Sequence, residues 1–245
     1  MEQEIIKERI EEVREELRRE HLSAFVFSFL RPEWKVYVVV TLKSIALWVN
    51  GVSQDAGNMT IAEWIGRELE DMADKDVGID GMLNPTVDVE ELKEALKRQG
   101  GITLRTNFNP LQRIIKKNAA NPHLIETLSQ KLTSAETKMK LTRIRRALRE
   151  QHADGMLMMR WEDIAWTLNL QDDETQHDED VVVCLLIDSN KATLHNSQDI
   201  NKGLKDYFEY NILLDPHEVC YTLYQQVERK IVREESPVSV MRQMK

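Results

Sequence analysis

Ile10-Glu11-Glu12-Val13-Arg14-Glu15-Glu16-Leu17-Arg18-Arg19-Glu20-His21-Leu22-Ser23-Ala24-Phe25-Val26-Phe27 has a counterpart 131 residues later. The second version reads Leu141-Thr142-Arg143-Ile144-Arg145-Arg146-Ala147-Leu148-Arg149-Glu150-Gln151-His152-Ala153-Asp154-Gly155-Met156-Leu157-Met158. Arg14 and Arg145, Leu17 and Leu148, Arg18 and Arg149, His21 and His152 coincide without a gap. In both copies apolar residues recur at helical spacing and then give way to a short apolar run, 25–29 or 156–159. An amphipathic helix, a tight turn and a buried strand make one α/β unit.

The order of elements downstream repeats too. Residues 36–41 and 45–49, joined by a turn at 42–44, predict a hairpin, as do 181–187 and 192–195 around 188–190. A helix is expected over 61–72 and again over 198–207. A strand ending in aspartate follows each: Val77-Gly78-Ile79-Asp80 and Ile212-Leu213-Leu214-Asp215. Helices over 89–99 and 218–229 are expected to close the two copies. The seam falls where Asn109-Pro110 and Asn121-Pro122 bias the chain away from helix. The resulting division is a first domain at 1–110, a linker at 111–136, a second domain at 137–231 and a frayed tail at 232–245, where Ser236-Pro237 reads as a break.

Composition narrows the class. The 245 residues carry 33 basic and 42 acidic side chains, a net charge of −9, with 42% hydrophobic and 31% charged residues. This balance is that of a globular protein, and 245 residues suit two cores better than one. With no concentrated Lys/Arg stripe, neither nucleic acid nor an anionic membrane is expected as partner. No apolar run approaches the ~20 residues of a membrane span. The acidic start Met1-Glu2-Gln3-Glu4 opens a helix rather than a signal peptide, and Cys184 and Cys220 read as reduced thiols, so a cytoplasmic location is expected.

Lys138 to Arg145 in sequence, then His152-Ala153-Asp154-Gly155, then Trp161-Glu162-Asp163-Ile164-Ala165-Trp166-Thr167-Leu168-Asn169-Leu170, resemble the second domain of three-domain Xaa-Pro aminopeptidases (aminopeptidase P). Ala46-Leu47-Trp48, Thr60-Ile61-Ala62-Glu63-Trp64 and Val77-Gly78-Ile79-Asp80-Gly81 resemble fragments of that family's first domain, in the family's order. The resemblance implies two tandem creatinase N-terminal-like (RNase H-like) domains, each a mixed sheet flanked by helices. Departures accompany it. The family's Gly-rich stretch and Asp-Gly/Ser-Arg-Tyr element are eroded in the first copy, and the Arg-Gly expected after Leu170 is Gln171-Asp172. Glutamine cannot supply the fixed cationic fork of arginine.

The family also implies a third, pita-bread domain that holds two divalent metals, typically Mn or Zn, through Asp, His and Glu for two-metal hydrolysis. After the second copy closes, residues 230–245 contain no His and no Asp, so no pita-bread domain and no catalytic residue are expected in this chain. The stretch closest to a metal set is acidic: Asp173, Glu174, His177 and Asp178 lie within 172–180. It lacks the alternation and central glycine of an EF-hand, and dense like charge reads as a solvated loop. No Gly-x-Gly-x-x-Gly opens a helix at Gly78 or Gly81, and Ser53, Ser129 and Ser197 have no nucleophile-elbow context. His21 and His152, next to arginines at helix ends, are expected to cap as cations.

Substrate-cleft candidates are Trp161, Trp166, Asn169 and Gln171, the aromatic pair because aromatic anchors favour binding sites. The expected role is that of a non-catalytic N-terminal module of an Xaa-Pro aminopeptidase-like metallopeptidase, shaping substrate access or mediating interaction with a peptide or a missing catalytic domain. The alternative is a stand-alone degenerate paralogue binding a peptide or small molecule between its two domains.

Overall fold

A computed structural model describes residues 2–30, 34–114, 122–170, 183–196 and 199–244. The chain forms two compact units, Met1–Lys117 and Asn118–Lys245.

In the first unit, helix α1 (Glu2–Arg19) leads into β1 (Ala24–Leu30), β2 (Lys35–Thr41), β3 (Ile45–Val49) and β4 (Val52–Ser53). Helix α2 (Ile61–Glu68), β5 (Asp76–Ile79), α3 (Thr86–Arg98), β6 (Thr103–Arg105) and α4 (Leu111–Ile114) follow. The sheet order is β4-β3-β2-β1-β5-β6, antiparallel through β1 and parallel from β1 to β6. Side chains from α1 and the strands make the core: Leu17, Leu22 and Phe25 are buried together, and Phe108 packs edge-on against Phe25 with centroids 6.1 Å apart. Helix α2 begins with a reciprocal cap. Thr60 Oγ1 accepts from the Glu63 amide at 3.3 Å, while Glu63 Oε2 accepts from the Thr60 amide at 2.8 Å. That cap sets Trp64 against buried Trp48, whose Nε1 donates to the Met59 carbonyl at 3.0 Å.

The second unit consists of α5 (Pro122–Lys131), α6 (Ala135–Glu150), β7 (Gly155–Met158), α7 (Trp161–Leu168), β8 (Val183–Asp188) and β9 (Ala192–Asn196). Then come α8 (Ile200–Leu204), β10 (Asn211–Leu214), α9 (Tyr221–Gln226), β11 (Arg229–Val232) and α10 (Pro237–Gln243). Its sheet order is β11-β10-β7-β8-β9, again antiparallel on one side of the strand after the long helix and parallel on the other. Strand for strand this repeats β6-β5-β1-β2-β3, and among the described residues β4 is the one addition in the first unit.

The repeat extends to side chains. Arg14 Nε donates to the Thr41 carbonyl at 3.0 Å and Arg145 Nε to the Asp188 carbonyl at 2.8 Å. Thr41 and Asp188 are equivalent in register, facing Ala24 and Gly155, and each folds its hairpin by accepting turn amides on its side chain. Asp80 and Asp215 each accept the amide two residues on, from Met82 at 2.8 Å and His217 at 2.9 Å. These bonds explain why the same residue types recur 131 to 135 positions apart.

His21 and His152 correct the expected cationic cap. Both adopt the left-handed conformation, with φ of 54° and 57°. The next amide in each case reaches back across the helix end, Leu22 to the Leu17 carbonyl at 2.8 Å and Ala153 to Leu148 at 2.9 Å. The helix is closed by backbone geometry, and the pairs Leu17/Leu22 and Leu148/Ala153 are buried beneath the turn.

Three other expectations change. Part of the segment taken as linker is helix α5, whose Leu128 is buried in the second core. The helix expected at 218–229 is shorter, and the chain turns after it into β11, a strand alongside β10 that the mixed polarity of Arg229-Lys230-Ile231-Val232 hides. The tail expected to fray forms α10, with Pro237, Val238 and Ser239 buried. Ser236 is its N-cap, accepting from the Ser239 amide at 3.1 Å, and Pro237 opens the first turn; a Ser-Pro start is as much a helix beginning as a break.

Candidate functional site

Helix α7 carries most of the residues singled out for a cleft. Its apolar positions Ile164, Ala165 and Leu168 are buried, and Trp161 and Trp166 are half-buried against the second core. Asn169 terminates the helix in the left-handed conformation, φ 55° and ψ 44°. Lys140, from α6, closes this end: its Nζ donates to the Trp166 carbonyl at 2.5 Å and to Asn169 Oδ1 at 2.8 Å, and stands 4.8 Å from the Trp166 ring centre. A cation at a helix C-terminus meets both the open carbonyls and the dipole. The structure thus brings Trp166 and Asn169 together through Lys140, a residue the sequence reading did not single out for a site. Gln171 and the metal candidates Asp173, Glu174, His177 and Asp178 lie outside the described residues.

The start of α7 holds a second cluster. Asp163 is fully buried and makes an ion pair with Arg242 of α10, Nε to Oδ1 2.8 Å. The approach is off the hydrogen-bond line, leaving both atoms without a well-aligned partner. Its other oxygen, Oδ2, accepts from Ser239 at 2.5 Å and lies 3.4 Å from Ser236 Oγ. Ser239 Oγ is also 3.1 Å from Glu218 Oε1, which in turn is 3.1 Å from Arg160 Nη1. The Glu218 side chain is only 2% exposed.

Burial pushes the Glu218 carboxyl up to about 8, with Asp215 and Asp163 adding to the rise against the pull of Arg160 and Ser239. Burial likewise raises Asp215, opposed by the His217 amide and the hydrogen bond to Glu218. Among the described residues of the first unit the position matching Glu218 is the exposed Leu83. Asp215 was legible as the acid ending a strand. Its pairing with Glu218 and Asp163 depends on α10 folding back, which pattern reading at 232–245 missed.

Surface recesses lie elsewhere. One of about 580 Å³ in the first unit is bordered by His21, Asp74, Lys75 and Asp76; one of about 150 Å³ in the second is bordered by Arg145, Arg149, Asp154 and Tyr210. Both sit beside the turn after the long helix, and neither is lined by Trp161, Trp166 or Asn169.

Residues 116–209 match the creatinase/prolidase N-terminal domain family. Over most of its length the chain is similar to the N-terminal part of aminopeptidase P proteins. It is 25% identical over 236 residues to Xaa-Pro aminopeptidase 1 of Dictyostelium discoideum, covering 83% of this chain and 36% of that protein. To aminopeptidase P2 of Arabidopsis thaliana it is 25% identical over 213 residues, 78% of this chain and 29% of the relative. A probable Xaa-Pro aminopeptidase P of Botryotinia fuckeliana is 24% identical over 139 residues, 56% and 21% of the two chains.

Among solved structures, the X-prolyl aminopeptidase of Caenorhabditis elegans, described as a cytosolic enzyme with a di-nuclear active site, superimposes with a TM-score of 0.67 at 15% identity. The match covers 92% of this chain and 49% of that one, and it establishes the fold. The chain therefore spans about a fifth to a third of these curated relatives and half of the solved enzyme.

A di-nuclear centre needs several carboxylate or imidazole donors free to face cations. The acids that gather here, Asp163 and Glu218 with Asp215 nearby, already face two guanidinium groups and two serine hydroxyls, so they do not fit such a centre. Among the described residues no group of three or more His, Cys, Asp or Glu is arranged to hold a metal ion. Nor, among them, is any helix long and apolar enough to cross a membrane.

Proposed function

We propose that this chain is a non-catalytic N-terminal module of an Xaa-Pro aminopeptidase-like metallopeptidase, which shapes substrate access or presents a surface for interaction. The observation that carries this reading is the extent of the match. Nearly all of the chain superimposes on half of an X-prolyl aminopeptidase, and the clustered acids are neutralised from within instead of facing a metal. Two α/β units of the same topology are read as products of one duplicated domain, supported by the paired bonds of Arg14 and Arg145. The cytoplasm is the assigned compartment, consistent with the two free, buried cysteines and with the cytosolic neighbour.

Within the module, Trp161, Trp166 and Asn169 are assigned to a peptide-facing edge, and Lys140 holds that edge in place. The purified chain, given Mn²⁺ or Zn²⁺ and an Xaa-Pro peptide, should release no N-terminal residue. Turnover that a chelator abolishes would overturn the non-catalytic assignment. An Ala-Pro-containing peptide should shift the indole N–H signals of Trp161 and Trp166 in nuclear magnetic resonance spectra, and Trp166→Ala should remove the response. Shifts confined to residues outside α7 would refute the assigned edge.

A further inference from the structure

We propose that the recess of about 150 Å³ bordered by Arg145, Arg149, Asp154, Ser189 and Tyr210 in the second unit binds the hydrogen phosphate ion. The first unit supplies the template. Arg14 and Arg145 hold the same place in the repeat and are pinned alike, each through Nε to a carbonyl of its hairpin, Thr41 at 3.0 Å and Asp188 at 2.8 Å. A planar guanidinium fixed at Nε presents its two terminal nitrogens as a rigid fork. In the first unit that fork is filled from within, since Arg14 Nη1 donates to Glu11 Oε1. Position 142, which lies 131 residues on from Glu11, is threonine, and its hydroxyl turns back to the Lys138 carbonyl at 2.8 Å. Arg145 keeps the anchor but has lost the internal oxyanion.

A second cation borders the same recess. Arg149 follows Arg145 by one turn of α6. Its counterpart in the first unit, Arg18, has Glu15 one turn before it, and the residue matching Glu15 is Arg146. Glu150, the acid at this end of α6, is bonded to Arg146 at 3.0 Å. Among the described residues neither Arg145 nor Arg149 is paired with an acid. Where the first copy has a carboxylate, the second has a recess with two arginines at its border and the buried Leu148 and Ala153 also lining it.

The remaining groups select the ion. Ser189, in the hairpin turn, and Tyr210, whose ring stands 5.0 Å from that of Tyr207, add two hydroxyls. Two guanidinium forks and two hydroxyls are more donors than the two oxygens of a carboxylate use, and they suit a tetrahedral ion with more acceptor oxygens. Asp154 sets its protonation. Asp154 Oδ2 accepts from the Asn211 amide at 2.8 Å and from Asn211 Nδ2 at 3.0 Å. A carboxylate can only accept, so it favours an ion that still carries a hydrogen. Hydrogen phosphate does so above neutral pH, whereas sulfate and a phosphate monoester that has lost its last proton do not.

Titration of inorganic phosphate into the full chain at about pH 7.5 and constant ionic strength, followed by amide nuclear magnetic resonance, tests this. The amides of Asp154, Ser189 and Tyr210 should shift and saturate, and sulfate and glycerol 3-phosphate should bind at least about tenfold more weakly. Thr142→Glu, which restores the carboxylate of the first copy, should weaken phosphate binding by about tenfold or more, because its own oxyanion takes the Arg145 fork. Met139→Glu adds the same charge one turn earlier, at an exposed position, and should change the affinity by less than about threefold. Arg149→Gln, also on the exposed face, should cost about tenfold. No saturable shift at the recess, equal or tighter binding of sulfate or glycerol 3-phosphate, or equal losses in Thr142→Glu and Met139→Glu would each overturn the proposal.

Discussion

Replacing His21 and His152 by glycine separates two explanations of the most conspicuous match in the repeat. Each histidine sits at a positive φ, 54° or 57°, one residue before the amide that bonds back to Leu17 or Leu148. A left-handed conformation costs an L-residue about 1–2 kcal/mol. Glycine avoids that penalty, but its greater freedom in the unfolded chain removes about 0.5–1 kcal/mol. The expected net effect is a gain of about 0.5–1 kcal/mol for His21→Gly and again for His152→Gly. The sites lie in separate units and share no partner, so the double variant should show the sum. For a chain of this size, about 1 kcal/mol moves the melting temperature by roughly 2–4 °C. Valine at either position, β-branched and intolerant of this backbone, should lose at least ~1 kcal/mol.

Urea unfolding followed by circular dichroism at pH 5.5 and pH 8 provides the readout. Caps made by backbone geometry give the same gain at both values. If the imidazolium charge were the working part, the glycine variants would lose about 0.3–1 kcal/mol, and only on the acid side. A loss in the glycine variants that deepens at pH 5.5 would refute the backbone reading.

Gly155→Ala should destabilise the second unit by about 1–3 kcal/mol, since a Cβ there would stand 2.8 Å from the Ile187 carbonyl oxygen and 3.0 Å from Ile212 Cδ1 in the middle of the sheet; a melting temperature unchanged from wild type would contradict it. Tyr207→Phe removes the 2.6 Å bond from the tyrosine hydroxyl to Asp188 Oδ2 and should cost about 1.5–3 kcal/mol at pH 7. Burial works to raise the Asp188 carboxyl, but Tyr207 and the amides of Lys191 and Asn190 outweigh it and hold the acid below its ordinary value. The stability this confers is present above the unfolded-state value and disappears as pH falls through the folded one, so stability curves of wild type and variant should converge in acid.

The repeat was readable because it is local. Helical spacing, the apolar run after each helix and the acid ending β5 and β10 are periodic features of neighbouring residues, and they predicted two α/β units in the right order. The long helix α1 and its counterpart α6, the two hairpins and the central strands all follow from such patterns. The stretch from Asp163 to Leu170 likewise pointed to a resemblance to aminopeptidase P before any fold was known. Even the matched arginines were visible as a coincidence, though not as donors to the Thr41 and Asp188 carbonyls.

Other features exist only by assembly. Strands β6 and β11 have three and four residues of mixed polarity, and they are strands because β5 and β10 offer them an open edge. Lys140 and Asn169 are 29 residues apart, and their contact waits on α6 and α7 packing together. Asp163, Glu218 and Arg242 span 79 residues, each unremarkable along the chain; burial at one point gives them a common electrostatics. Periodicity fixes which face of an element turns inward, because it depends on a residue and its near neighbours. Which charges meet there depends on the three-dimensional path of the chain, and that path decided the character of this site.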